Sequence, residues 1–109
     1  MKRIASIQDV SCLGRCSQTV ALPVVSAMGV ECAILPTAVL STHTSFPDFH
    51  CLDLTDQLLP VARHWKAQGV RFDALYTGYL ASDRQVAVVL ELLELLREEG
   101  TPVSYTHLT

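Results

Sequence analysis

The sequence predicts an α/β domain in which a mostly parallel sheet is flanked by helices, and three observations support this fold class. Short apolar runs of strand length alternate with longer segments of helical periodicity, in the order β, α, β, extra β, α, β, α, β. The first run is apolar on both faces, as buried parallel strands are. This order favours right-handed crossovers between parallel strands. With 109 residues, 50 % of them hydrophobic and 17 % charged, the chain has the size of one globular domain or less.

The first strand is predicted over residues 3–8, and a helix follows it. Ser17 is placed to cap this helix and Gly29 to end it. Pro23 lies in the helix interior and is expected to distort it. The apolar positions of the helix are Val20, Ala21, Val24, Val25 and Met28.

The second strand is predicted over residues 31–37 and is expected to continue to Leu40 past an irregularity at Pro36. Residues 41–48 are polar and rich in turn formers, which indicates a loop after the end of this strand. A short edge strand or lid is expected within residues 49–54.

A second helix is predicted to begin at Asp53 or Thr55 and to end at Gly69. Its apolar residues Leu58, Ala62 and Trp65 recur at i, i+4 and i+7, which is helical spacing. The third central strand is then predicted over residues 72–77.

Ser82 and Gln85 have the spacing of a capping box, and the third helix is expected to run to residues 99–100. A new element is predicted to start at residues 101–103. The helix carries a wide apolar band, formed by Val86, Val88, Val89, Leu90, Leu92, Leu93, Leu95 and Leu96. Because this band is too wide for a helix with one solvated face, we expect part of its partner to be missing, as in the first half of a larger domain.

Charge and hydropathy exclude several classes of partner. The net charge of -3 and the absence of a basic cluster argue against a nucleic-acid partner. There is no run of about 18 apolar residues that could span a membrane, and the first apolar run is too short for a signal peptide. The sequence therefore predicts a cytoplasmic protein that binds a small molecule.

The four cysteines, Cys12, Cys16, Cys32 and Cys51, are expected to be free thiols because the chain has no export signal. Two thiol chemistries are open as minor alternatives. A zinc set of Cys12, Cys16, Cys51 and His43 lacks a usual ligand spacing, so no metal site is predicted. A nucleophilic pair of Cys12 or Cys16 with His43 lacks an identifiable orienting group.

Polar clusters follow three of the predicted strands, at Gln8 and Asp9, at residues 41–44, and at residues 77–79. Because the carboxyl ends of parallel strands meet at one edge of a sheet, we expect these clusters to line one pocket. Each candidate also has a purely structural interpretation. Asp9 could cap a turn, His43 could hold its own loop, and Tyr79 could pack at a strand end.

These clusters resemble the substrate-side motifs of the pyridoxal kinases, a family of the ribokinase-like superfamily. The resemblance is carried by Ile7-Gln8-Asp9 with Gly14 close behind, by Ser41-Thr42-His43-Thr44, and by Thr77-Gly78-Tyr79-Leu80. It runs in register from about residue 3 to residue 102. It implies a three-layer ribokinase-like fold of which only the N-terminal half is present.

The resemblance implies ATP-dependent phosphorylation of the 5'-hydroxymethyl group of pyridoxal, pyridoxamine or pyridoxine, with a homodimer as the full-length form. The family's substrate contacts fall on the positions of Asp9, Thr44 and Tyr79, and Ser41 and His43 belong to the same substrate loop. The segment 46–54 corresponds to the lid. Asp9 departs from the usual serine, and its carboxylate favours a pyridinium or ammonium group, which predicts a bias toward pyridoxamine.

The parts that the family uses to hold ATP and Mg²⁺, and its catalytic Asp, are expected beyond this chain. Residues 1–102 would then be the substrate-side half of the kinase domain. Residues 103–109 do not resemble the family and suggest a truncated or misread reading frame, so the chain alone is expected to be inactive. Two alternatives stay open: a hydroxymethylpyrimidine kinase-like enzyme, disfavoured by the missing glycine-rich start, and a non-catalytic binding or interaction module.

Overall fold

The computed structural model describes residues 2–14, 18–98 and 100–105. Five strands form one sheet in the order β3-β2-β1-β4-β5, and all neighbours are parallel except β3, which is antiparallel to β2. The elements are β1 (Arg3–Ser11), α1 (Gln18–Ala27), β2 (Glu31–Leu40), β3 (Cys51–Asp53), α2 (Thr55–Ala67), β4 (Ala74–Thr77), α3 (Asp83–Leu96) and β5 (Val103–Tyr105). This confirms the predicted α/β class and the order of its elements.

Strand β1 is the central strand, and residues 5–8 are buried on both faces as predicted. It extends to Ser11, three positions beyond the predicted end, so Asp9 lies inside the strand and not in the loop after it. The extension follows from pairing with β2, which itself continues to Leu40, and the Cys12 amide donates to the Leu40 carbonyl at 2.8 Å.

Asp9 lies at the predicted irregularity around Pro36. Gln8 pairs with Pro36, but Val10 pairs with Val39, so Asp9 faces a two-residue stretch of β2 across a shift in register. Proline has no amide hydrogen to give to the ladder, which is one reason that pairing shifts at this point. The expected edge strand is also present, as β3.

Strand β2 lies on one side of β1, and β4 and β5 lie on the other, so the chain moves across the sheet in one direction from β1 to β2 and β3 and in the opposite direction from there to β4 and β5. Right-handed crossovers therefore place α1 on one face of the sheet and α2 and α3 on the other. This gives the three layers that the resemblance implies. The predicted apolar positions of α2 face the core: Leu58 and Ala62 are fully buried, and Trp65 packs against Phe72 at a ring distance of 5.3 Å. Phe72 itself precedes β4, which begins two residues later than predicted.

The apolar band of α3 is mostly covered, so the expectation that its partner is missing is wrong. Val89, Leu92, Leu93 and Leu96 are buried, and of the predicted band only Leu90 is a largely exposed residue, at 45 %. Helix α2 and the sheet supply the cover. The helix ends at Leu96, because Arg97 is extended at ψ 133°.

Much of the exposed apolar surface lies on α1 and directly after it. Gln18 is the only residue of this helix that is buried, and Val20, Val24 and Met28 are 42 %, 54 % and 74 % exposed. Gly29 follows the helix at φ +78°, as predicted for its end. The predicted cap Ser17 lies outside the described residues.

Strand β5 pairs in parallel with β4 and begins at Val103. The sheet therefore continues past residue 102, where the resemblance in sequence was expected to stop. Among the helices of the described residues, none is long and apolar enough to cross a membrane.

Candidate functional site

A cavity of about 610 Å³ opens at the carboxyl ends of the parallel strands. This volume lies within the range of small-molecule sites, about 300–1,000 Å³. The loops after β1 and β4 leave the sheet toward opposite faces, which is where open α/β sheets bind their ligands. The described wall consists of Asp9, Ser11, Thr37, Ala38, Leu40, His43, Thr44, Ser45, Phe49, Cys51, Asp53, Tyr79, Ala81 and Gln85.

Strand register explains how residues distant in sequence reach this wall. Ser11 pairs with Leu40, and Leu40 pairs with Cys51, so these three form one row across β1, β2 and β3. Ala38 pairs with Asp53 in the next row. Because alternate residues of a strand share a face, the two rows form one continuous floor.

Four of the five predicted substrate residues line the same cavity, namely Asp9, His43, Thr44 and Tyr79. Ser41 is not part of the described wall. Its hydroxyl accepts a hydrogen bond from the His50 amide at 2.8 Å and so closes the loop between β2 and β3. The structure thus brings three polar clusters together, and their contact with a substrate stays a prediction.

Gly14 fixes the loop after β1 against His43. Its φ of +108° is in the left-handed region, and a Cβ on Gly14 would lie 2.7 Å from His43 Cδ2. Only glycine fits both the backbone conformation and this approach. The first loop of the chain and the loop after β2 therefore meet at the edge of the cavity.

The imidazole of His43 is held by its own loop. Its Nδ1 accepts a hydrogen bond from the Ser45 amide at 3.3 Å, and its ring meets Phe46 edge-on at a centroid distance of 4.8 Å. In the neutral ring the proton is then on Nε2, which can act as a donor. His43 therefore orders its own loop and also lines the cavity, and a hydrogen bond from it to a ligand stays a prediction.

Gly78 allows the end of β4 to lie directly against β1. Its amide donates to the Ile7 carbonyl at 3.1 Å, and a Cβ at Gly78 would lie 2.8 Å from Gln8 Cβ. This close contact places Tyr79 close in the fold to Asp9, the residue after Gln8 in β1. The Tyr79 side chain is 57 % exposed and lines the cavity mouth.

The structure adds Asp53 and Gln85, which the sequence indicated only as residues at helix starts. Asp53 Oδ1 accepts from the Thr55 amide at 2.7 Å and from the Thr55 hydroxyl. The hydrogen bond from the Thr55 hydroxyl, and to a smaller extent that from the Thr55 amide, lowers the pKa of Asp53 below its ordinary value. The Asp-x-Thr spacing before a helix is a known turn and cap pattern, but it gives no sign that the carboxylate borders a cavity.

Gln85 forms only half of the predicted capping box. Its amide donates to Ser82 Oγ at 3.1 Å, but its side-chain Oε1 accepts from the Ala81 amide instead of the Ser82 amide. The side-chain Nε2 donates to the Thr37 carbonyl at 3.3 Å and to Thr55 Oγ1 at 3.2 Å. A buried amide thus links α3 to β2 and to the start of α2.

Among the described cysteines, Cys12, Cys32 and Cys51 are free thiols. Burial raises the pKa of the Cys32 thiol. The described residues contain no group of three or more His, Cys, Asp and Glu side chains placed to share a metal ion. Cys16, the fourth residue of the cysteine alternatives, lies outside them.

Comparison with solved structures identifies the class of this fold as that of the ribokinase-like kinases. A protein of Bacteroides thetaiotaomicron that is called a phosphomethylpyrimidine kinase is 44 % identical over 95 % of this chain, with a TM-score of 0.91. A second crystal form of that protein contains pyridoxal. The pyridoxal kinase of Lactobacillus plantarum is 31 % identical over 97 % of the chain, with a TM-score of 0.81.

More distant pyridoxal kinases show the same fold. That of Leishmania donovani, solved with ADP and pyridoxamine, is 20 % identical over 93 % of the chain with a TM-score of 0.76. This chain covers 36 % of the length of the Bacteroides and Lactobacillus proteins, so it spans about a third of such a kinase. No protein-family model and no curated protein matches the sequence.

Proposed function

We propose that this chain is the substrate-binding part of a kinase that phosphorylates the 5'-hydroxymethyl group of a vitamin B6 compound, namely pyridoxal, pyridoxamine or pyridoxine. The observation that carries the proposal is the cavity at the carboxyl ends of the strands, with polar residues from β1 and from the loops after β2 and β4 on one wall. The 44 % identity to a protein crystallised with pyridoxal, and the 31 % identity to a pyridoxal kinase, support this choice of ligand.

The wall offers the contacts that a hydroxylated pyridine needs. The Tyr79 ring gives an aromatic face at the cavity mouth for a flat heterocycle. His43 Nε2 and the Thr44 hydroxyl are available as polar groups on the loop after β2. The Asp9 carboxylate accepts hydrogen bonds from a ring N–H⁺ or an ammonium group.

The residues of this chain do not fit ATP and Mg²⁺. The loop after β1 has neither a G-x-G-x-x-G nor a P-loop pattern, and the sequence has no Gly-x-Gly-Asp segment. We therefore place ATP, Mg²⁺ and the catalytic Asp of the proposed enzyme in sequence outside this chain. The proposed full-length enzyme is a homodimer in the cytoplasm.

A hydroxymethylpyrimidine kinase-like activity is the second candidate. The name of the Bacteroides protein favours it, since that protein is 44 % identical to this chain. Both candidates require a planar nitrogen heterocycle with a hydroxymethyl group in the same cavity. They differ in the ring, and so direct binding comparisons separate them.

The test is equilibrium binding of pyridoxal, pyridoxamine, pyridoxine and hydroxymethylpyrimidine to the purified 109-residue chain, together with an ATP-dependent phosphorylation assay. Because the chain is proposed to be only part of the enzyme, we expect weak but saturable binding of B6 compounds, tighter than that of the pyrimidine, and no turnover. Tighter pyrimidine binding would select the second candidate. Binding of none of these compounds, or turnover by the chain alone, would contradict the proposed division of the enzyme.

A genomic observation provides an independent check. If the native gene continues past Pro102 into a segment with a Gly-x-Gly-Asp motif, the chain is part of a kinase. An intact gene that ends with this sequence would instead support a small binding module that does not catalyse.

A further inference from the structure

Two carboxylates, those of Asp9 and Asp53, line the cavity. Only Asp9 lies where the resemblance places a substrate contact, and nothing in the sequence assigns a ligand to Asp53. Within the described part of the wall there is no Lys or Arg side chain to balance the two charges. The nearby cation Arg84 forms an exposed salt bridge with Asp56, and after the Thr55 hydrogen bonds its charge is a smaller cause of the lowered pKa of Asp53.

The strand register places the two carboxylates on opposite sides of Ala38. Asp53 pairs directly with Ala38 across β2 and β3. Asp9 faces the same part of β2 from the other side, at the register shift between Gln8 and Val10. Two strand spacings of about 4.8 Å separate the backbones of β1 and β3 by about 10 Å. The small side chain of Ala38 leaves the space between them open.

This separation suits a flat ligand with a donor group at each end. A six-membered ring with a one-carbon arm and a hydrogen bond of about 2.8 Å at each end spans a similar distance. The two carboxylates are therefore placed to bind opposite ends of one ring, and not to share a single ion between them.

The Asp53 carboxylate is held in place by a chain of hydrogen bonds. Gln85 Nε2 donates to Thr55 Oγ1 at 3.2 Å, and the Thr55 hydroxyl donates to Asp53 Oδ1. Gln85 and Thr55 are 3 % and 2 % exposed, so this support is buried. Both of the described hydrogen bonds to Asp53 use Oδ1, and no described residue donates to Oδ2.

The turn before α2 explains Oδ1, which accepts from the Thr55 amide and hydroxyl, but it gives no role to Oδ2. One carboxylate can hold this turn with one oxygen and bind a ligand with the other. The second oxygen is then a fixed, ionised acceptor with a buried support behind it. Such an acceptor makes its strongest hydrogen bonds to cationic donors.

We propose that Asp53 is a specificity-determining residue that acts with Asp9 to select a heterocycle with positive charge at both ends, a ring N–H⁺ and an aminomethyl group. Thr55 and Gln85 are positioning residues for this contact. The inference rests on the proposed function, and it identifies the amine form of the substrate as the preferred class of ligand.

The experiment compares pyridoxamine with pyridoxine, which differ only by an aminomethyl against a hydroxymethyl group. Dissociation constants are measured near pH 7 for the chain, for Asp53→Asn and for Asp56→Asn. Asp56→Asn is the matched control, since it removes the same charge three residues away from a side chain that is not part of the described wall. We expect Asp53→Asn to weaken pyridoxamine binding about tenfold and pyridoxine binding less than twofold, whereas Asp56→Asn leaves the ratio unchanged.

Asn and Ser form the same kind of turn as Asp, with a side-chain oxygen that accepts from a backbone amide two residues on, so Asp53→Asn and the second variant Asp53→Ser are expected to stay folded. Circular dichroism and thermal unfolding check each variant. An equal pyridoxamine-to-pyridoxine ratio in the chain, Asp53→Asn and Asp53→Ser would overturn the inference and leave the proposed function intact.

Ligands outside the B6 group test the inference about Asp53 independently of the proposed function. Aminomethylpyridine and pyridinemethanol carry the aminomethyl and the hydroxymethyl group on a pyridine ring without the other B6 substituents. If the chain binds aminomethylpyridine in an Asp53-dependent way but binds no B6 compound, the inference stands and the proposed function fails. If it binds none of the amines, the inference fails.

Discussion

The two faces of the sheet are built differently. On one face, α2 and α3 cover fully buried residues such as Leu58 and Leu92 and form a continuous apolar core. On the other face, α1 buries only Gln18 and exposes much of its apolar surface. The described wall of the cavity takes Gln85 from α3 and Asp53 from the end of β3, directly before α2, and it takes no residue from α1. The well-packed face is therefore the one that supports the site.

The largest expected effect comes from a core truncation on the packed face. Leu92→Ala removes a fully buried side chain and leaves a cavity, so we expect a loss of about 2–5 kcal/mol in the free energy of unfolding. Met28→Ala, directly after α1, is the comparison, because Met28 is 74 % exposed and its truncation should change this free energy by less than about 0.5 kcal/mol. Urea unfolding monitored by circular dichroism measures both. Similar losses would show that the two faces are equally packed.

The next effect concerns the contact of Gly14 with His43. Gly14→Ala is strained at φ +108° and also collides with the imidazole, whereas Gly29→Ala, at φ +78°, has nothing within 4 Å. Both variants should lose about 1–3 kcal/mol in the free energy of unfolding through backbone strain. Only Gly14→Ala should also weaken pyridoxal binding, by severalfold. Equal binding by the two variants would mean that His43 does not depend on this contact.

Asp9→Ser tests the departure from the family pattern. Loss of the carboxylate should lower the preference for pyridoxamine over pyridoxal by about tenfold, because a charge-assisted hydrogen bond is replaced by a neutral one. The ratio of the two dissociation constants measures this preference in the chain. The ratio of the two catalytic efficiencies measures it in a full-length enzyme. If the ratio is the same in both proteins, Asp9 does not set the preference.

The smallest expected effect is a pH dependence of the free energy of unfolding that is due to Asp53. Because hydrogen bonds from Thr55 lower its pKa in the folded state, ionised Asp53 stabilises the fold above its unfolded pKa of about 3.9. This contribution is lost as the pH falls through the lower, folded-state pKa. The difference in unfolding free energy between the chain and Asp53→Asn should thus shrink below about pH 4.

An NMR titration of the Asp53 carboxyl group completes this test. Thr55→Val should raise the pKa of Asp53 toward its ordinary value, and Thr55→Ser, which keeps the hydroxyl, should not. A pKa that is the same in all three proteins would show that Thr55 does not hold the carboxylate.

Local patterns were enough to predict most of the fold. Helical spacing at Leu58 and Ala62, the glycine after each of the first two helices, and the irregularity at Pro36 all express local stereochemistry, and the structure agrees with them. The end of β1 was predicted too early because its last residues are polar. Pairing with β2 holds them in the strand all the same.

The candidate site was predictable only in part, because contacts between residues distant in sequence place some of its side chains. Asp9 and His43 stand out because polar residues follow apolar runs. Asp53 reaches the cavity through the antiparallel pairing of a three-residue edge strand, and Gln85 through hydrogen bonds to residues 30 and 48 positions away. Such long-range placement leaves no local pattern in the sequence. The covered band of α3 was misjudged because its burial depends on packing against α2.

The central claim is that the cavity at the carboxyl ends of the strands binds the pyridine ring. The most direct measurement is a titration of the ¹⁵N-labelled chain with pyridoxamine, followed by amide chemical shifts. We expect saturable shifts concentrated at Asp9, His43, Thr44, Asp53 and Tyr79. Saturable shifts centred instead on the small cleft of Lys66, Arg71 and Glu98, or no shifts at saturating pyridoxamine, would contradict it.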